Sequence, residues 1–191
     1  MKVQMLLLAG LLAGCSTVQT VVEADPVIAG KTYSHKPVPL GRVKMQVDLH
    51  TQTLESDDDD DDDDDAATGA EQIDITLGFV ASGEPTSVVA RSGTLKSKKD
   101  GQEAELTARF EARGSSIECV AEAGKELGLE YWFNGTVKGD LWKCVTLRFR
   151  LPGHQPQDPI ELTFEPINVG GELVRMLPVT FVFRTVEIEA D

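Results

Sequence analysis

Three histidines, three cysteines and 32 Asp and Glu residues give this 191-residue chain its scope for chemistry. Hydrolytic or phosphoryl chemistry would need a nucleophile elbow, a glycine-rich phosphate loop or a paired-histidine metal motif, and the sequence contains no Gly-x-Ser-x-Gly, phosphate-loop or His-Glu-x-x-His pattern. His35 falls in a Pro/Gly-rich segment, His50 on the polar side of an alternating stretch, and His154 in a proline-rich loop. Without ligand spacing, each reads as a surface residue. Carboxylate pairs such as Glu161/Glu165 and Glu187/Asp191 arise from strand alternation alone. The expectation is a protein that is not an enzyme, with no cofactor, no catalytic residue and no specific metal site.

The unusual acidic feature is an unbroken run: Asp57, Asp58, Asp59, Asp60, Asp61, Asp62, Asp63, Asp64 and Asp65. Calcium sites of useful affinity interleave carboxylates with glycines and backbone carbonyls so that six to eight oxygens converge, and a uniform string lacks that shape. Its expected chemistry is weak, nonspecific divalent cation binding or diffuse attraction to a basic partner, weighed against a plain solvated spacer. The aromatics Tyr131, Trp132 and Phe133 with Trp142 could form a platform for a carbohydrate or peptide; the competing reading is packing in the core.

The formal charge of −14 would be a strong statement about partners if it were spread over the chain, but the aspartate run supplies nine of these charges and about −5 is left without it. That is ordinary for a soluble domain. Nucleic acid is disfavoured as a partner, because no Lys/Arg patch dominates and the overall field repels phosphate. Lys96, Lys98 and Lys99 are flanked by Ser, Asp and Gly and read as a solvated turn, with an anion or headgroup contact as the alternative.

The chain opens MKVQMLLLAGLLAGC: one lysine, an apolar run, small residues, then Cys15. The apolar run is shorter than the roughly 20 residues a bilayer helix needs, and the small residues suit a peptidase, so residues 1–14 read as a secretory signal. Leu12-Ala13-Gly14-Cys15 resembles the lipobox of bacterial lipoproteins. The resemblance implies that the mature chain begins at Cys15, acylated and held to a membrane; at about 0.8 kcal/mol per buried methylene, two or three chains anchor it stably. Ser16, where an aspartate is associated with inner-membrane retention in that family, tilts the address to the outer membrane, on its periplasmic or cell-surface side.

With Cys15 assigned to lipid, Cys119 and Cys144 are the two thiols left in an exported chain. A disulfide closing a loop of about 25 residues is the simplest expectation and would contribute roughly 3.5 kcal/mol by loop entropy. Two buried free thiols, or metal or redox chemistry, are the alternatives.

These groups must be positioned by the remaining chain, about 177 residues and enough for one domain. Residues 15–42, rich in Pro and Gly and without a period, read as a lipid-anchored flexible tether, with Val21-Val22 and Pro37-Val38-Pro39-Leu40 able to lie along the domain edge. Residues 43–191 read as the folded domain, with a disordered acidic insertion at about 55–70. Val43–His50 and Ile73–Phe79 alternate as paired strands around that insertion. Further alternation marks Ser87–Ala90, Ala104–Ala112, Leu141–Leu151, Ile160–Glu165 and Val179–Ile188. On Leu141–Leu151 the second face carries Trp142 and Cys144, so it should be covered near its start and exposed toward Arg150. Asn134-Gly135 predicts a hairpin turn after the aromatic stretch. The hydrophobic phase change late in Val179–Ile188 predicts a bulge or bend. Near 116–127, Ser115 and Glu118 fit a capping box and one short helix; a strand through Cys119 is the other reading.

The sum is a mainly β fold, an antiparallel β-sandwich of about seven or eight strands with immunoglobulin-like or transthyretin-like layout, an up-and-down barrel being the competitor. The function this suggests is a non-enzymatic envelope lipoprotein that contacts a protein partner, as an assembly or accessory module. The alternative is a binding module for a carbohydrate, a peptide, or calcium through the acidic run.

Overall fold

The computed structural model describes residues 17–52, 70–111, 119–121, 129–155 and 157–190. Among them the chain is all β, in three sheets, and the only parallel pairing in these sheets is a three-residue one. No helix there is long and apolar enough to cross a membrane.

Six strands form the largest sheet. β3 (Val38–Leu40), β4 (Val43–Gln52), β5 (Ala70–Ala81), β11 (Trp142–Pro152) and β8 (Glu105–Glu111) lie in that order, and β9 (Cys119–Ala121) also pairs with β11. The alternation in β4 and β5 decides the register, because a slip of one residue would turn every apolar side chain to the wrong face. Met45 faces Phe79, Val47 faces Leu77 and Leu49 faces Ile75. On β11, Val145, Leu147, Phe149 and Leu151 join the same face, and all four are buried. Each such side chain contributes about 1.5–3 kcal/mol by leaving water. The ladder between β8 and β11 shifts register at Arg148/Phe149.

The five-stranded sheet runs β2 (Lys31–Thr32), β1 (Thr17–Ile28), β15 (Val179–Ala190), β12 (Ile160–Phe164), β7 (Gly93–Ser97). It corrects the reading of residues 15–42 as a flexible tether. β1 pairs with β15 without interruption from Thr17↔Ala190 to Ile28↔Val179, and β3 forms the edge of the largest sheet. The reason is long-range pairing. β1 is rich in Thr and Val and gains a complete hydrogen-bonded partner from the far end of the chain, which a local reading cannot supply. The same unbroken register contradicts the bulge expected in the last strand.

The third sheet is β10 (Phe133–Val137), β6 (Thr86–Ala90), β13 (Ile167–Val169) and β14 (Glu172–Val174). Asn134 and Gly135, expected at a turn, instead pair in mid-strand with Val89 and Val88. Burial of Trp132 and Phe133 fixes the preceding residues in the core, and the chain continues straight along β6 before turning at Gly139, whose φ of 62° is left-handed. One core draws on all three sheets, with Leu95, Leu162 and Phe181 from the five-stranded sheet and Val88, Phe133 and Ile167 from the third meeting the apolar face of the largest. This is the expected sandwich-like β architecture. Near 116–127 the described part, β9, is strand and not helix; residues 112–118 and 122–128 lie outside the described residues.

Candidate functional site

Alternation also builds a second surface, the polar face of β4, β5, β11 and β8. Two cross-strand rows run over it: Asp48, Thr76, Thr146 and Phe110 in one, and His50, Asp74, Arg148 and Ala108 in the next. Sequence reasoning read His50 on this side as a surface residue, yet its neighbours Gln46, Asp48, Asp74, Thr76 and Thr146 are buried. Their polar atoms are satisfied sideways. The Gln46 amide donates to Asp48 Oδ1 at 3.2 Å, and the Thr76 and Thr146 hydroxyls lie 3.0 Å apart.

Arg148 crosses from β11 to β5 and grips Asp74 with two parallel bonds, Nε to Oδ1 at 2.9 Å and Nη2 to Oδ2 at 2.8 Å. Its guanidinium carbon sits 4.7 Å from the Phe110 ring centroid, so the cation is held between a carboxylate and an aromatic face. The Asp74 hydrogen bond pushes the Arg148 pKa upward, against a smaller opposing effect of burial. Chemically this is a clasp. The carboxylate that could act as a base is committed to a permanent cation, and the nearest titratable neighbour in its row is His50, whose Nε2 is buried without a hydrogen-bond partner.

The side chains singled out from the sequence are scattered. Cys15 and Asp57 to Asp65 lie outside the described residues. Cys119 and Cys144 are joined, with Cα atoms 5.5 Å apart, and the bridge fastens β9 along the start of β11. The aromatic platform is not assembled. Trp132 is 2% exposed, packs edge-on against Phe149 and Phe164, and lies over Gly93, where a Cβ would stand 2.6 Å from its ring. Tyr131 and Trp142 are half-buried, Trp142 beside Cys119 in the ladder. Trp132 went to the core because it fills the space between sheets that Gly93 leaves open.

His154 is buried, not on the surface as the loop composition implied, and its ring is 6.1 Å from that of Phe183. Burial lowers its pKa below the usual histidine value, with Asp158 and Asp100 opposing. The lysine turn is fully engaged: Lys96 pairs with Glu103, Lys98 with Glu161 and Lys99 with Asp158, at 2.7, 2.8 and 3.0 Å. Lys98 and Lys99 are exposed and lie in the turn, as the solvated-turn reading has them, while Lys96 lies in β7. Among the described residues no three His, Cys, Asp or Glu side chains converge as a metal-holding group.

What the surface offers instead is apolar. Leu173, on edge strand β14, is 72% exposed, and Leu177, four residues on, is 58% exposed. Scattered leucines on a surface are ordinary, but two this exposed beside an open sheet edge give that edge both hydrogen-bonding groups and apolar contact. No signal in the sequence marked them. No protein-family model, curated protein or solved structure matches the chain.

Proposed function

We propose that the protein is a non-enzymatic envelope lipoprotein, anchored through Cys15 to the outer membrane on its periplasmic or cell-surface side, that works by contacting another envelope protein. The observation that carries this reading is the Leu12-Ala13-Gly14-Cys15 sequence at the end of an apolar leader, followed within two residues by the first strand of a sandwich. The contact surface in this proposal is the β14 edge with Leu173 and Leu177. The Asp74 carboxylate is held by Arg148 and Trp132 is buried in the core, which supports a contact role over acid–base chemistry or an aromatic ligand platform.

Crosslinking in intact cells, followed by solubilisation and purification of the full-length protein, tests it. The wild type should carry a discrete crosslinked partner that Leu173→Asp/Leu177→Asp loses while staying in the membrane fraction. An identical crosslinking pattern in the variant contradicts the contact surface. A Cys15→Ser protein that is still processed and membrane-bound contradicts the anchor.

A further inference from the structure

Most of the β1–β15 ladder has no third strand beside it. β2 joins β1 only at Val27 and Ile28, and β12 joins β15 only from Val179 to Phe181. Ala24 and Phe183 pack against the core. Residues 17–22 and 185–190 therefore pair with each other and with no other described strand. Six residue pairs at about 3.4 Å each make a two-stranded ribbon some 20 Å long. Arg184 closes its root: its Nη2 lies 2.8 Å from Glu23, its cross-strand partner, and its Nε 3.0 Å from Asp25.

The free end of this ribbon is Thr17 opposite Ala190, and Thr17 is separated from Cys15 by Ser16 alone. We infer that, in the acylated protein, the ribbon is the mount: residues 185–190 of β15 are held at the bilayer surface beside Cys15, and the membrane meets this end of the molecule. The inference rests on the lipoprotein reading and adds an orientation to it. A flexible linker spanning residues 16–42 would have an end-to-end distance of about 28 Å with no preferred direction, so the domain could turn freely. A paired ribbon does not allow that. It presents the end carrying Glu187 and Glu189 to the headgroups and turns the loop at Ala29-Gly30, at the other end of the same strand pair, away from them. The contact partner is a lipid surface, reached through an acyl anchor and a stiff two-stranded stalk.

Paired cysteines in the full-length, membrane-inserted protein provide the test. Thr20 and Glu187 face each other in the ladder, whereas Val182 lies five positions further along, about 17 Å from the residue facing Thr20 and beyond disulfide reach. Thr20→Cys/Glu187→Cys should link, giving a shifted band on a non-reducing gel, with Thr20→Cys/Val182→Cys linking at least fivefold less. A second measurement avoids dependence on paired variants. A fluorophore on Glu187→Cys should be quenched by headgroup-level nitroxide lipids at least threefold more than one on Lys31→Cys, about 25 Å further along the ladder.

Mass spectrometry of the amino-terminal peptide separates the two ways to fail. If Cys15 carries diacylglycerol but the facing pair links no better than the control, or both labels are quenched alike, the mount is wrong and the lipoprotein reading stands. If Cys15 is not acylated, the mount falls with that reading whatever the cysteines do.

Discussion

β4–β5 and β1–β15 are both long, unbroken antiparallel pairings, yet they stand in opposite relations to the rest of the molecule. β4 and β5 are neighbours in the chain, β5 is flanked by a strand on each side, and Ile73, Ile75, Leu77 and Phe79 are fully buried. β1 and β15 come from opposite ends of the chain, and nine of the twelve pairs in their ladder have no third strand. One pairing is the floor of the core. The other runs over most of its length without a third strand, and Arg184 ties its two strands together through Glu23 and Asp25. Opening free energy follows the number of buried neighbours, so the two should separate into a stable unit and a weaker one.

The largest effect is expected in the stable unit. Leu77→Ala, in the centre of β5, should cost about 2–5 kcal/mol in urea unfolding, because the surrounding side chains collapse only partly into the space left. A loss below 1 kcal/mol would mean that β5 is not the centre of the core.

Next in size is the clasp on the polar face. Asp74→Ala strands the Arg148 cation and should cost about 1.5–3 kcal/mol. Asp74→Ala combined with Arg148→Ala should cost less than the two single changes added together, as a double-mutant cycle would show.

A pH-dependent effect comes from the root of the ribbon, where His154 lies beside Phe183. Burial holds its native pKa below the unfolded value of about 6.5. As pH falls through 6.5 the unfolded chain takes a proton that the native state refuses. Stability is therefore lost between about 6.5 and the lower native pKa, and is constant in this respect below it. Melting curves at pH 7.5 and 5.5 should show a larger drop for the wild type than for His154→Gln. Equal drops would remove His154 from the account.

The smallest effect belongs to Arg184. Arg184 and its Glu23 partner are substantially exposed, so Arg184→Ala should change global stability by about 0–1 kcal/mol. Its consequence should be local, seen as faster amide exchange in residues 18–23 with no change in β5. A global loss above 2 kcal/mol would make the ribbon part of the main cooperative unit and dissolve the contrast.

The two pairings also mark what was legible in the sequence. β4 and β5 alternate cleanly and lie close in the chain, so their pairing and faces could be read directly, whereas for β11 and β12 only the alternation could. The Cys119–Cys144 bridge followed from counting thiols. β1 could not be read, because its hydrophobic pattern is irregular and its partner is more than 150 residues away; composition alone made it a tether. Asn134-Gly135 failed for a different reason. A strong local turn signal was overridden by the burial of Trp132 and Phe133 just before it. On the polar face the period was right but the environment was not, since alternation says which residues share a side and nothing about whether that side is dry. Burial of Gln46, Asp48 and Asp74 depends on neighbours drawn from four strands.

The contrast depends on residues 17–23 being paired strand alongside β15. Hydrogen exchange on the full-length protein, read on peptides covering residues 18–23 and 185–190, decides it. The account predicts that both segments exchange together, at least about tenfold more slowly than free peptides and faster than residues 73–79 of β5. Exchange of residues 18–23 at the free-peptide rate while β5 stays protected would contradict it.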